Sequence, residues 1–181
     1  NNPNRSQTRL AINSNLGVDV DVNRLLVATQ DMDVEIYTSM EATGVQAEYI
    51  RDGLDYKQWQ HNVTQLLDAG RTVHFMATIN ALCLSSLCAH LNQLMTWKRT
   101  WGRDRVNFTL NILRFPSFQS PLVLDNDLRK YYSEALERWL ENADSKFLHE
   151  HEINHTQRLI DYLDVVKTPH SEAFELDQLR R

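Results

Sequence analysis

The sequence predicts an α/β protein: a partial (β/α) barrel with about four parallel strands, helices on the outer face and two further helices at the C-terminal end. Four short segments alternate apolar and polar residues with a period of two, and helical patterns lie between them. The chain has 181 residues with only 5 glycines and 4 prolines, which excludes collagen-like and low-complexity classes. Strands that alternate with single helices favour right-handed crossovers and a parallel sheet.

Each predicted element has a local signal. Strands are predicted at residues 9–15, 33–39, 72–80 and 106–113. Helices are predicted at residues 22–29, 56–69, 84–95, 126–141 and 152–167, and the long loop at 40–54 has room for a short helix at 45–51. The second helix has the clearest ends, because Asp55 suits the N-cap and Gly70 the C′ position. Asp19 or Asp21 is predicted to cap the first helix.

The two sides of the predicted strands differ in chemistry. One side is apolar, whereas the other carries mainly short amide and hydroxyl side chains with one carboxylate and no lysine: Asn13, Asn15, Glu35, Tyr37, Ser39, His74, Met76, Thr78, Asn80, Asn107, Thr109 and Asn111. Long charged side chains dominate a solvated face, so we expect this polar side to line a cavity, as in a parallel barrel or an open trough. A barrel interior of mutually hydrogen-bonded side chains without a ligand is the alternative.

Composition limits the partners and the location. The net charge of −5 is too small to indicate a partner and argues against a general nucleic-acid binder. No apolar run approaches the roughly 18 residues that span a bilayer, and no signal-peptide core is visible, so we expect a cytoplasmic protein without a membrane partner. Two cysteines, Cys83 and Cys88, are too few for a disulfide scaffold. Because Asn1 is not a methionine, we expect a further segment upstream.

Five stretches resemble the radical S-adenosylmethionine (radical SAM) proteins identified as twitch-domain-containing: AINSNLG (11–17), EIYTSMEATGVQAEYIRDGLDYKQW (35–59), TINALCL (78–84), LNILRFPSFQS (110–120) and RLIDYL (158–163). The likeness covers most of the chain between residues 9 and 163 and falls on the third to sixth strands of that family's barrel. It implies a six-stranded incomplete barrel that holds a [4Fe-4S] cluster and SAM at the C-terminal strand ends. Reductive cleavage of SAM there gives a 5′-deoxyadenosyl radical, which abstracts hydrogen from a substrate.

Carried over residue by residue, the resemblance implies a binding face made by Asn13, Asn15, Ser39, Arg51, Thr78, Asn80 and Asn111. The first two would face SAM or substrate, Ser39 would bond the methionyl or ribose group, and Arg51 would pair with the SAM carboxylate. Thr78 and Asn80 would meet the ribose hydroxyls, and the backbone near Asn111 the adenine. Alternatively, Arg51 forms an ion pair with Glu48 or Asp55, and Ser39 caps the following segment.

The sequence departs from the family in its cysteines. The family's cluster needs three thiolates from a CxxxCxxC loop after the first barrel strand, and that loop would lie upstream of Asn1. Cys83 and Cys88 cannot replace it, because a spacing of five residues on a helix separates them by about 140°. We therefore expect residues 1–8 to be a disordered remnant, residues 9–167 the C-terminal portion of the barrel, and residues 168–181 a polar tail that docks through Phe174 and Leu176.

Two other patterns point to different functions. His151, Glu152 and His155 match the HExxH zinc-protease motif, with Asp161 where a third ligand can lie. Arg158 replaces the glycine of the longer motif, so we expect the helix to continue with its histidines on a solvated face. Residues 97–105 combine four basic side chains with two tryptophans, which suits nucleic acid, but partners of a helix dipole on a solvated surface are expected there.

The sequence therefore predicts a segment of a radical SAM enzyme that contributes SAM- and substrate-facing strand ends and lacks the cluster-binding motif. The cluster is expected only with the upstream half-barrel, which is the expected protein partner, so the segment alone would be inactive. No catalytic residue is assigned. The alternative is a non-catalytic α/β binding or scaffold module that retains the barrel fold without a cluster. A segment of four strands would expose a sheet edge at residues 9–15, and we expect poor solubility or self-association.

Overall fold

The computed structural model describes residues 7–17 and 19–165, and one parallel sheet lies at its centre. Four strands, β1 (Arg9–Asn13), β2 (Asp33–Thr38), β3 (Thr72–Ile79) and β4 (Val106–Ile112), lie side by side in chain order. The helices are α1 (Val22–Ala28), α2 (Gly44–Ile50), α3 (Tyr56–Asp68), α4 (Leu84–Trp101), α5 (Asn126–Asn142) and α6 (Glu150–Leu163). The predicted α/β class, the four parallel strands and the two C-terminal helices are confirmed, and the sheet is open.

Local chemistry explains where the helices begin and end. The carboxylate of Asp21 accepts a hydrogen bond from Arg24 N in the first turn of α1. The carboxylate of Asp55 likewise accepts a hydrogen bond from Gln58 N in α3, so both predicted N-caps are present. Gly70 has a φ of +75° directly after α3, a conformation that favours glycine. Helix α4 extends beyond the predicted residue 95 until Gly102, whose φ is +99°. Helix α6 begins earlier than predicted, at Glu150, and Glu152 Oε2 accepts a 2.8 Å hydrogen bond from His149 N in its first turn.

The apolar side of the sheet forms the main core. Val34, Ile36, Val73 and Phe108 are buried there at 3% exposure or less. Helices α3 and α4 pack on this side through aromatic rings: the ring of Phe75 lies 5.9 Å from that of Trp59 and 5.5 Å from that of Trp97. Each buried aromatic side chain contributes a large apolar area, so this cluster fixes the two helices against the sheet.

The polar side of the sheet is ordered into rows by the strand register. Asn13, Tyr37, His74 and Asn107 are successive register partners across all four strands. These side chains are exposed or half-buried, whereas their neighbours on the apolar side are buried in β2, β3 and β4 and half-buried in β1. The predicted alternation of the two faces is therefore present, and the polar row lies on the accessible side of the sheet.

Helix α6 covers the outer edge of β4 with side chains. Phe108 N donates to Glu152 Oε1 at 2.9 Å, Leu110 N donates to His155 Nδ1 at 3.1 Å, and Arg158 Nη2 donates to Leu110 O at 2.7 Å. These backbone groups would pair with a fifth strand in a wider sheet. The expectation that the motif's histidines lie on a solvated face is wrong for His155, because its Nδ1 satisfies an edge amide.

Part of the basic stretch at 97–105 is structural, whereas Arg99, Arg103 and Arg105 are exposed as predicted. Lys98 has no exposed surface, and its ammonium group lies 2.8 Å from the equally buried Glu152 carboxylate. Trp97 is 4% exposed, and Trp101 donates from Nε1 to Asp68. The predicted solvated surface is therefore wrong for Lys98, which forms a buried ion pair between α4 and α6. The tryptophans are likewise not arranged as an exposed stacking surface for nucleic acid.

Some predictions concern residues outside the described part of the chain. These are the remnant at residues 1–6, the end of the last helix at Lys167 and the tail at 168–181 with Phe174 and Leu176. Among the residues that are described, no helix combines the length and the apolar character that crossing a bilayer requires.

Candidate functional site

Two adjoining clefts lie at the carboxyl ends of the strands. The first has a volume of 690 Å³ and is lined by Glu41, Ile50, Arg51, Thr78, Asn80, Ala81, Leu82, Leu113, Phe118, Gln119, Val123 and Leu124. The second has a volume of 260 Å³ and is lined by Asn13, Ser14, Asn15, Tyr37, Ser39, Arg51 and Met76. Arg51 belongs to both linings and therefore connects the two clefts. Ligands of parallel α/β proteins bind at this end of the sheet.

The two clefts bring together most of the residues that the sequence pointed to. Arg51, Thr78 and Asn80 line the first cleft, and Asn13, Asn15, Ser39 and Arg51 line the second. Asn111 pairs in register with Thr78 on the polar side of the sheet but is not part of either lining. Residues distant in the chain thus converge because parallel strands end at the same edge of the sheet.

Arg51 follows α2 and is held by an ion pair with Glu41. The Glu41 carboxylate is only 3% exposed, and the guanidinium donates to it through Nη2. The proposed alternatives are wrong, since Glu48 accepts from Tyr56 N and Asp55 caps α3. Arg51 Nε is buried and has no hydrogen-bond partner among the described residues. The side chain is 27% exposed and only its Nη2 is engaged by Glu41, so Nη1 is available to a second acidic group.

The polar groups around the clefts fall into two classes. Asn80 is engaged by its own turn, since its Oδ1 accepts from Leu82 N at 2.9 Å and from Cys83 N at 3.1 Å. Asn15 Oδ1 similarly accepts from Gly17 N. Within the described residues, by contrast, the side chains of Asn13, Ser39 and Thr78 make no hydrogen bond. The first class shapes the loops, and the second is available to a ligand.

Ser39 does not cap the following segment. Helix α2 begins after Thr43, which occupies the N-cap position. The Ser39 hydroxyl therefore lines the second cleft without a structural bond to α2.

The apolar half of the first cleft was not predicted. It consists of Ile50 from α2, Leu82 from the β3–α4 turn, and Leu113, Phe118, Val123 and Leu124 from the connection after β4. Ala81 N donates to Gln119 O at 2.9 Å, and Ser120 Oγ lies 3.1 Å from the hydroxyl of Tyr162 in α6. These bonds fold the connection back across the strand ends. In the sequence, the only signal for this wall is the group of apolar residues after the last predicted strand.

The second cleft continues onto a charged network on the polar side of the sheet. Glu35 receives an ion pair from Arg9 and a 3.1 Å hydrogen bond from the Tyr37 hydroxyl. His74 Nε2 lies 3.5 Å from the same carboxylate. The hydrogen bond from Arg9 lowers the pKa of Glu35, and burial raises the pKa of Tyr37 and lowers that of His74. Near neutral pH the network holds an ionised Glu35 beside a neutral tyrosine and a neutral histidine.

Neither cysteine is arranged for metal ligation. Burial raises the pKa of Cys83 to about 12, and its thiol donates to Asn80 O at 3.2 Å. Burial also raises the pKa of Cys88. No three histidine, cysteine or acidic side chains of the described chain converge on a possible metal position. In the HExxH pattern, Glu152 is fully buried in its ion pair and His155 Nδ1 is occupied.

The fold and the clefts define an α/β protein with a one-sided parallel sheet and a ligand-sized opening at the strand ends. No family model matches the chain, and neither a curated protein nor a solved structure matches it.

Proposed function

We propose that this chain is a segment of a radical SAM enzyme and that its two clefts bind SAM and a substrate. The observation that carries the proposal is the convergence of Asn13, Asn15, Ser39, Arg51, Thr78 and Asn80 on two adjoining clefts that share Arg51. The resemblance implies seven residues as a binding face, and six of them line the two clefts.

The sheet topology supports the proposal. Parallel strands in sequential order, with a polar side left accessible, are typical of a section of a (β/α) barrel. A doubly wound sheet has a reversal in its strand order and helices on both faces. The order β1-β2-β3-β4 has no such reversal.

The residues that line the first cleft match the chemical groups of SAM. Arg51 has unused donors for a carboxylate, and the Thr78 hydroxyl is available to a ribose hydroxyl. The apolar wall around Leu113 and Phe118 suits the faces of an adenine ring. Asn80 contributes mainly by shaping the turn, because its Oδ1 already accepts two backbone bonds.

SAM supplies a 5′-deoxyadenosyl group when a reduced [4Fe-4S] cluster acts on it, and we assign that cluster to the upstream half-barrel. The two cysteines of this segment are too few for the cluster, and Cys83 donates to a backbone carbonyl. The segment's own residues bind and orient the two ligands. Glu41 keeps the Arg51 guanidinium at the junction of the clefts.

A non-catalytic binding module is the second candidate. The buried Glu41–Arg51 pair favours it, because an arginine that already has a carboxylate partner can serve the loop structure alone. Iron and sulfide analysis of the full-length protein after anaerobic reconstitution separates the two candidates. A cluster supports the enzyme, and its absence supports the module.

Binding of SAM to the chain tests the proposal. We expect calorimetric titration to show binding that weakens at least tenfold in Arg51→Gln, because a hydrogen bond to a charged group is worth about 1.5–3 kcal/mol. Thr78→Val removes a first-cleft hydroxyl that makes no hydrogen bond within the described residues, and it should weaken binding about threefold while preserving the fold. The matched control is Arg138→Gln, on the exposed side of α5.

The proposal fails if the chain does not bind SAM, or if Arg51→Gln and Arg138→Gln bind it equally well. Because Arg51→Gln leaves the buried Glu41 without its partner, the fold of that variant is checked by circular dichroism. If it unfolds, the Thr78→Val result decides alone: unchanged affinity contradicts the proposal.

A further inference from the structure

The ring of Tyr37 has one covered face and one open face. It stacks on the ring of His74 at a centroid distance of 4.4 Å and an interplanar angle of 11°. Because Tyr37 and His74 are register partners on neighbouring strands, the covered face looks toward β3 and the opposite face looks toward β1. The second cleft includes that β1 side, since Asn13, Ser14 and Asn15 line it together with Tyr37, and it also reaches Met76 on β3.

The residue opposite Tyr37 on β1 leaves room beside this ring. Asn13 is the register partner of Tyr37, and an asparagine side chain is shorter than a tyrosine. The shorter Asn13 side chain therefore covers less of the β1-facing side of the ring than an aromatic partner would, and both residues line the second cleft. Within the described residues this amide has no hydrogen-bond partner, and the Ser39 hydroxyl at the upper end of the cleft has none either. The amide offers a donor and an acceptor next to an aromatic face.

We propose that the second cleft binds a planar heterocycle with adjacent donor and acceptor groups, the chemistry of a nucleobase, stacked on the open face of Tyr37. An asparagine amide can pair with the donor and acceptor of a base edge, and an aromatic side chain can stack on the base. Met76, which lines the cleft from β3, adds a polarisable thioether that packs well against aromatic rings. The cleft volume of 260 Å³ suits a single base with its sugar extending outward.

The same lining argues against other ligand classes. Among the described residues that line the cleft, Arg51 is the only charged one, and the adjoining carboxylates of Glu35 and Glu41 already pair with Arg9 and Arg51, so a polyamine or another cation would meet no unpaired carboxylate there. The asparagine and serine side chains would lose hydration without compensation beside a long aliphatic chain. A planar ring with donor and acceptor groups can form hydrogen bonds with the asparagine amides and can also stack on the ring of Tyr37.

This inference rests on the proposed function in one respect, namely that SAM occupies the first cleft and its reactive portion lies near Arg51. A base in the second cleft then lies on the other side of the same guanidinium. A nucleoside would be the substrate class of the enzyme.

The test uses uridine as the probe and the full chain saturated with S-adenosylhomocysteine, in saturation-transfer and titration NMR. We expect uridine to bind through its base protons and free ribose not to bind. Tyr37→Leu should weaken uridine binding about tenfold, whereas Tyr37→Phe keeps the ring and should stay within threefold of the parent chain. Asn13→Ala should weaken it about threefold to tenfold. Asn107→Ala, on the same side of the sheet but outside the cleft, is the matched control and should have no effect.

The outcomes separate this inference from the proposed function. If S-adenosylhomocysteine binds and uridine does not, or if uridine competes for the same site, the base site is refuted and the SAM site stands. If uridine binds with the expected dependence on Tyr37 but S-adenosylhomocysteine does not bind at all, the proposed function fails and the base site stands. Equal effects of Asn13→Ala and Asn107→Ala also refute the base site.

Discussion

Lys98 and Glu152 form an ion pair with no exposed surface, and Glu152 also accepts from Phe108 N and His149 N. Burial lowers the pKa of Lys98, so the ammonium depends on this carboxylate to remain charged. We predict that Lys98→Met, which leaves the buried carboxylate without its cation, lowers the free energy of unfolding by about 3–5 kcal/mol. Urea denaturation followed by circular dichroism measures this loss.

Lys130→Met is the control for this prediction, because Lys130 and Glu134 form an exposed pair on α5. Such a pair contributes about 0–1 kcal/mol. Equal losses in the two variants would show that the Lys98 pair does not stabilise the fold. Sequence alone could not reveal this pair, because its partners are 54 positions apart and each resembles an ordinary surface residue.

His90 makes the stability of the fold depend on pH. It is fully buried in α4, and burial lowers its pKa from 6.5 to about 4, more than the backbone of Met40 raises it. A histidine whose folded pKa is lowered stabilises the fold above its unfolded pKa, and the effect is lost as the pH falls through the folded value. We predict that the unfolding free energy decreases by about 3 kcal/mol between pH 7 and pH 4 through this group.

Urea denaturation of His90→Gln at a series of pH values measures that contribution. The decrease between pH 7 and pH 4 should be smaller in this variant than in the parent chain, since glutamine does not titrate. His61→Gln, on the exposed side of α3, should retain the full decrease. An equally steep decrease in His90→Gln would contradict the assignment.

Helix α6 acts in place of a neighbouring strand at the β4 edge. Glu152, His155 and Arg158 recur at steps of three, so they lie along one side of the helix and meet outward backbone groups of Phe108 and Leu110. We predict that His155→Ala lowers the unfolding free energy by about 1–3 kcal/mol, because Leu110 N–H loses its acceptor. Hydrogen exchange at Leu110 should also become faster.

Gln157→Ala is the matched variant on the same helix, because Gln157 is exposed and bonds only Asp161. It should leave the exchange of the Leu110 amide unchanged. An unaltered exchange rate in His155→Ala would mean that the side chain does not protect the strand edge. The spacing of HExxH was visible in the sequence, but the same spacing serves metal ligation and strand protection, and only the position of β4 distinguishes them.

At the scale of the whole molecule, the two edges of the sheet differ. Thr8 O accepts from Asp33 N and Ser14 N donates to Tyr37 O, so the even-numbered residues of β1 face β2. The backbone groups of Arg9, Ala11 and Asn13 consequently face away from the sheet, at an edge where the described chain supplies no further strand. Helix α6 gives the β4 edge a protection that β1 lacks.

We predict that the chain self-associates through this β1 edge and that Ala11→Pro reduces the association, because proline removes an outward N–H group. Sedimentation velocity over a range of concentrations measures the change. Ala11→Ser retains the N–H group and should associate like the parent chain. A parent chain that stays monomeric at high concentration would contradict the prediction.

The class of fold and the order of its elements could be predicted from period-two and helical patterns, because these patterns record which side of each element is buried. The convergence of Asn13, Ser39 and Thr78 followed from the parallel arrangement. Glu41 and the apolar wall at Phe118 could not be found in this way. Their positions depend on how loops fold back across the strand ends, through bonds such as that between Ala81 and Gln119.

Mapping SAM binding on the backbone amides tests the central claim most directly. In ¹H–¹⁵N correlation spectra of the chain titrated with SAM, we predict the largest shifts at Glu41, Arg51, Thr78 and Leu113, which line the first cleft at the carboxyl ends of the strands. Shifts confined to the cleft between α4 and α5, around Cys88 and Arg138, would contradict the account, as would spectra that SAM leaves unchanged.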